Sequence, residues 1–146
     1  MSIPRELAER LVASYALLEG RHQQLSSLFY KQLFAAAPQV RELFAADMET
    51  QKKMLVTMLE LVVKHARDIE LIRPKLMELG ERHHAYGVSN EHYPIVIASL
   101  TSAMRTVSSD KWTERDTEDW VYGLTIIAEI MLMGSENAKC ESQDGP

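Results

Sequence analysis

From about residue 5 to residue 134, apolar side chains return every three or four positions, a period that commits the chain to helices. Six glycines and five prolines, few of them inside periodic segments, predict long helices joined by short turns, an all-α fold. The first helix should start near Pro4, capped by Ser2, and run to about Glu19 with Leu7, Leu11, Ser14, Tyr15 and Leu18 inward; Gly20 marks the bend out of it. A second runs from about Arg21 to Ala36 with Leu25, Leu28, Phe29, Leu33 and Phe34 on one stripe and Tyr30 beside it. Pro38 breaks the chain there, because proline cannot donate the backbone bond that would extend a helix. A short helical turn, Pro38 to Phe44, follows. The third long helix is expected from about Met48 to Arg67 with Asp47 as cap, and the fourth from about Ile69 to Tyr86, with Pro74 near its start and Gly87 at its exit. A fifth opens after Ser89-Asn90 and carries Tyr93, Ile97, Leu100 and Met104. The last has a capping pattern at Thr113 to Asp116, carries Trp120, Leu124, Ile127, Ile130 and Met131, and should fray after Gly134. Residues 1–134 thus form one domain, and 135–146 are expected to be a polar, disordered tail.

A net charge of -5 argues against an electrostatic grip on nucleic acid or on an anionic membrane. No uninterrupted apolar run approaches the ~20 residues that cross a bilayer, and the start lacks the apolar core of a signal peptide, so a cytoplasmic address is expected. The one cysteine, Cys140, allows neither a disulfide nor a thiolate zinc site within one chain.

Two polar residues interrupt the inner stripes. His83 continues Leu76, Leu79 and Gly80 at helical spacing, so an imidazole faces the interior; it is either a core histidine bonded to a carbonyl or a metal ligand. Gln51 heads the stripe Leu55, Met58, Leu59 and Val62, and an amide buried without a partner costs a few kcal/mol (~2–7 by transfer scales). His84 is turned ~100° from His83 and so leaves the stripe. His65, fourteen residues beyond Gln51 and so ~21 Å along a helix, cannot share a site with it. His22 and His92 have surface or turn contexts.

The segments Phe29-Tyr30-Lys31-Gln32-Leu33-Phe34, Pro38-Gln39-Val40-Arg41-Glu42-Leu43-Phe44, Gln51, His83 to Val88, and His92-Tyr93-Pro94 follow one another in an order that resembles the globins. The pattern is most similar to bacterial single-domain globins and to the haem domain of flavohaemoglobins, over about residues 5 to 134. The resemblance implies a globin fold, six to eight helices packed around a haem pocket, and haem b (iron protoporphyrin IX) as cofactor. It implies His83 as the iron ligand, Phe44 as the aromatic packed on the porphyrin, Tyr30 and Gln51 as the polar distal lining, and Leu55 as an apolar wall. Val88 and Tyr93 complete the cofactor-binding set, and His92 can approach the haem edge. Lys52 and Lys53 are solvated or pair with propionates, His84 is solvated or near a propionate, and Met54, Met58, Met77, Met131 and Met133 are adaptable packing around a large planar ligand or core.

A phenol O–H and an amide N–H stabilise a ligand whose outer atom gathers negative charge, as dioxygen does on ferrous haem. Reversible binding of dioxygen, with carbon monoxide and nitric oxide as further ligands, is therefore the first expectation. Nitric oxide dioxygenation is the enzymatic alternative, and 146 residues without a flavin domain would then require a separate reductase. A gas sensor or a haem-free interaction module is the third. The chain departs from flavohaemoglobins on its last helix, where Ser135, with Glu136 beside it, stands at the place of a glutamate that pairs with the proximal histidine. Unless Glu136 fills the gap, His83 is expected to push less electron density to iron, and peroxidase-like cleavage to be weak.

Overall fold

The computed structural model describes residues 3–143, the last five of them as helix backbone only. The described residues form six α-helices, α1 (Arg5–Tyr15), α2 (His22–Ala36), α3 (Glu49–Lys64), α4 (Arg73–Ala85), α5 (His92–Ser108) and α6 (Glu114–Gln143), and contain no strand. Short 3-10 segments at Ala16–Leu18, Pro38–Leu43, Ala66–Ile72 and Ser109–Lys111 make most of the joints. α4 and α5 both pack on α6, α2 crosses α5, and α1 closes over the first half of α6.

Most joints follow the sequence. Gly20 turns the chain at a φ of +77° and Gly87 ends α4 at +95°, conformations that L side chains rarely adopt. Asp47 accepts from the Glu49 N–H at 3.0 Å, and Thr113 and Asp116 exchange bonds of 3.1 and 2.9 Å that satisfy orphan donors at the start of α6. The capping role expected of Ser2 lies outside the described residues, and Pro4 occupies the N-cap of α1.

Two boundaries differ from expectation. α3 stops at Lys64 and α4 waits until Arg73, because Asp68 leaves helical geometry at φ -147° and ψ 73° and kinks the stretch between them, in which Ala66, Ile69 and Ile72 are all buried. The last helix does not fray at Gly134 but continues to Gln143, so 135–143 are helical and not a disordered tail; 144–146 lie outside the described residues. Gly134 is there for packing. A Cβ on it would overlap the Met77 carbonyl of α4, just as one on Gly80 would overlap the Met131 carbonyl of α6.

The far side of the core is knitted by polar contacts between α1 and α6. The Trp120 indole donates to the Ser14 hydroxyl at 2.8 Å, and the Arg10 guanidinium grips both Asp119 oxygens at 2.8 and 3.1 Å. Beside Trp120, at 6.0 Å between ring centroids, Tyr15 stacks on His22 with centroids 5.4 Å apart, leaving its hydroxyl buried with no hydrogen-bond partner among the described residues. Burial, followed by Glu60 and Glu19, pushes this phenol up to about 12. The unfolded chain loses the proton near its ordinary value of 10 and the folded chain only near 12, so stability declines as pH rises through that window. Tyr15→Phe removes the orphan hydroxyl. It is expected to leave stability at pH 7 unchanged or slightly higher and to flatten the alkaline decline, as read from urea midpoints between pH 9 and 12.

Candidate functional site

Near the C-terminal end of α4, His83 sits one turn past Gly80 with its ring half-buried. Its Nδ1 lies 2.8 Å from the Leu79 carbonyl, the i−4 acceptor of its own helix. A carbonyl can only accept, so Nδ1 carries the proton and the neutral ring keeps its lone pair on Nε2. Burial outweighs this bond and holds the imidazole pKa below its ordinary value, which favours the neutral form. The Tyr93 ring stands 6.4 Å away, its phenol pushed up by burial. On α6, Ser135 is buried and Glu136 exposed.

His83, Val88 and Tyr93 share one cavity of about 120 Å³. Its other walls are His92, Val96, Ile97 and Leu100 of α5 and Leu124, Ile127, Ala128 and Met131 of α6. The imidazole of His92 accepts from the Ser89 N–H at 3.1 Å, which fixes the turn between α4 and α5.

A second group gathers at the joint of α2 and α3. Tyr30 is buried, its ring 4.7 Å from Phe29, 5.9 Å from Phe34 and 5.6 Å from Phe44. Burial raises its phenol, and the nearby Gln51 amide works in the opposite direction. Gln51 lies half-buried in the first turn of α3, with Leu55 partly buried one turn on against the core. Phe44 is held by a residue the sequence reading passed over. Arg41 covers the Phe34 ring at 5.2 Å and donates to the carbonyls of Ala45 and Ala46 at 2.9 and 3.1 Å, which ties down the corner that carries Phe44.

The remaining imidazoles are occupied elsewhere. The Nδ1 of His65 is 3.0 Å from the Leu61 carbonyl, His22 pairs loosely with Glu60 at 3.6 Å, and His84 lines a surface cleft with Gly87, Ser89 and Asn90. Lys52 pairs with Glu49 at 3.6 Å and, with Lys53, borders a groove against the start of α2. Among the described residues no group of three or more His, Cys, Asp or Glu could hold a metal ion by itself; Cys140 has its side chain outside them.

The family model "Globin" matches residues 27–131, a span that includes both groups. The chain belongs to the globin family. This globin is 31% identical over 129 residues to Flavohemoprotein B of Dictyostelium discoideum, covering 88% of the chain and 30% of that protein. It is 29% identical over 135 residues to a flavohemoprotein of a Burkholderia species, covering 90% and 34%. The chain thus spans about a third of the length of these curated relatives. Among solved structures, the bacterial globin of Campylobacter jejuni superposes with a TM-score of 0.80 at 23% identity, over 92% of this chain and 97% of that one. An engineered carbene transferase derived from a putative nitric oxide dioxygenase of Rhodothermus marinus superposes at 0.88 and 20%, over 98% and 100%. Both likenesses establish the globin fold. No described helix of this globin is long and apolar enough to cross a membrane.

Most of the cavity floor of this globin went unread in the sequence, where Leu100 and Ile127 count only as core, while Met131 is read as packing around a planar ligand or as core. Periodicity separates inside from outside, and it does not separate side chains that face a ligand from those that face each other.

Proposed function

We propose that this globin binds haem b with His83 as the protein's ligand to iron, and that it binds dioxygen reversibly in the cytoplasm. The observation that carries the reading is the His83 bond to Leu79, which orients the ring and leaves a neutral nitrogen donor beside an apolar cavity. The donor chemistry suits an iron porphyrin, since one imidazole together with apolar walls is what such a group needs from a protein. When bound, the haem supplies an iron that can hold a diatomic gas. Seating it requires the 120 Å³ cavity to widen, and Val88, Tyr93 and Ile97 are among its half-buried walls. In this reading Phe44 packs on the porphyrin, Leu55 excludes water, and the Tyr30 hydroxyl and the Gln51 amide donate to the outer atom of the gas. Carbon monoxide and nitric oxide are further ligands.

Absorption spectra of the purified, haem-reconstituted protein in ferric, ferrous, oxygenated and carbon monoxide forms test the proposal. A Soret band that moves with each gas, on a ferrous form bearing one histidine, is expected; no Soret band after reconstitution would refute haem binding. The flavohemoprotein relatives favour a second reading, nitric oxide dioxygenation, in which NO, O2 and one electron from a reductase give nitrate. Stoichiometric nitrate on mixing the oxygenated protein with nitric oxide, with turnover once a reductant is supplied, separates this activity from simple storage.

A further inference from the structure

α4 and α6 meet backbone to backbone at two points. Gly80 lies on the Met131 carbonyl and Gly134 on the Met77 carbonyl, each too close for a Cβ. The pairing is reciprocal and runs in opposite directions along the two helices, so they cross antiparallel, each giving one glycine and one carbonyl three residues apart. The other described glycines differ: Gly20 has nothing near it, while Gly87 and Gly123 face only leucine side chains. Side chains can turn aside, and a carbonyl locked in a helix cannot.

The contact sits beside the proposed iron ligand. His83 is one turn past Gly80, and its Nδ1 partner Leu79 is the residue next to that glycine. Met131 has two duties, since its carbonyl lies under Gly80 while the same residue lines the cavity with His83. We infer that the Gly80 and Gly134 clasp is a positioning device for the His83 imidazole, fixing its height and tilt against the cavity wall of α6. The inference rests on the haem reading above. A methyl at position 134 must push the helices apart, and because the His83 bond to Leu79 lies within α4, the ring travels with its helix. Its hydrogen bond survives, and its distance from the α6 wall does not. The imidazole then meets the iron at an altered tilt relative to the α6 wall, which the iron–histidine bond reports.

The test uses the haem-loaded chain. Gly134→Ala is expected to shift and broaden the iron–histidine stretching band in resonance Raman spectra of the ferrous protein, and to speed haem loss to an excess of apomyoglobin about 10-fold. Gly123→Ala, on the same helix, puts its methyl 3.1 Å from a Leu11 side-chain carbon and should leave the band in place. An unmoved band in Gly134→Ala, or an equal shift in Gly123→Ala, overturns the inference. Should Gly134→Ala fail to fold, hydrogen exchange of the haem-free parent decides: amides 80–84 as protected as 130–134 support a preformed clasp, and exchange over 100-fold faster in the former refutes it. A parent with no histidine-bound haem would instead sink the haem reading, so the two failures are distinct.

Discussion

Glycine in place of His83 is expected to raise the rate of haem loss by at least about 100-fold, and millimolar imidazole is expected to restore most of the retention. Removing an outer hydrogen-bond partner of a ligating histidine commonly costs ~10–100-fold in affinity, so removing the histidine itself should exceed that range. What remains is apolar burial of the porphyrin against Val88, Tyr93 and the α5 and α6 floor, which accounts for partial retention. Free imidazole can enter because the truncation opens the space the ring filled, beside a cavity already present. It lacks the Leu79 tether, so the rescued protein should show a broader iron–histidine band than the parent. Glycine also weakens α4 by ~1 kcal/mol relative to alanine, and His83→Ala therefore serves as the variant that separates ligand loss from helix loss. Haem retention and a histidine-type ferrous spectrum equal to the parent's in both variants would show that another group holds the iron.

Much of this architecture is legible because helices advertise themselves locally. Pro38 denies a backbone donor, Gly20 and Gly87 adopt positive φ, and Thr113 and Asp116 cap each other, all within a few residues of chain. Contacts between distant helices are silent at that scale. Gly134 reads as a helix stop in sequence, and only the Met77 carbonyl lying against it shows why the helix passes through. Ala66, Ile69 and Ile72 are all buried, so the apolar period runs on past the kink at Asp68 and does not announce it. Arg41 looks like one more surface cation until its carbonyl partners at Ala45 and Ala46 come round the corner to meet it. At the candidate site, His83 and Gln51 stand out as polar residues on apolar stripes, and Tyr30 stands out only through the family motif, because a tyrosine beside a stripe is ordinary. The cavity floor of Leu100, Ile127 and Met131 carries no chemical mark at all.

Tyr30→Phe is expected to speed dioxygen dissociation by about 10- to 100-fold while changing carbon monoxide dissociation less than about threefold. A charge-assisted hydrogen bond contributes ~1–3 kcal/mol, and each 1.4 kcal/mol is about tenfold in rate. Carbon monoxide gathers little charge on its outer atom and so has little to lose. The substitution isolates the hydroxyl, because the ring contacts with Phe29, Phe34 and Phe44 at 4.7 to 5.9 Å are those of a benzene ring and persist without the oxygen. Gln51 stays in place and can still donate its amide N–H, which bounds the effect. Gln51→Leu should therefore give a smaller acceleration in the parent than in the Tyr30→Phe background, where the amide is the remaining donor, and this non-additivity identifies two donors on one acceptor. Stopped-flow replacement of dioxygen by carbon monoxide, and of carbon monoxide by nitric oxide, reads both rates in the same samples. Equal acceleration of the two gases would mean that the phenylalanine has opened the pocket rather than removed a donor, and Tyr30 would then be a packing residue.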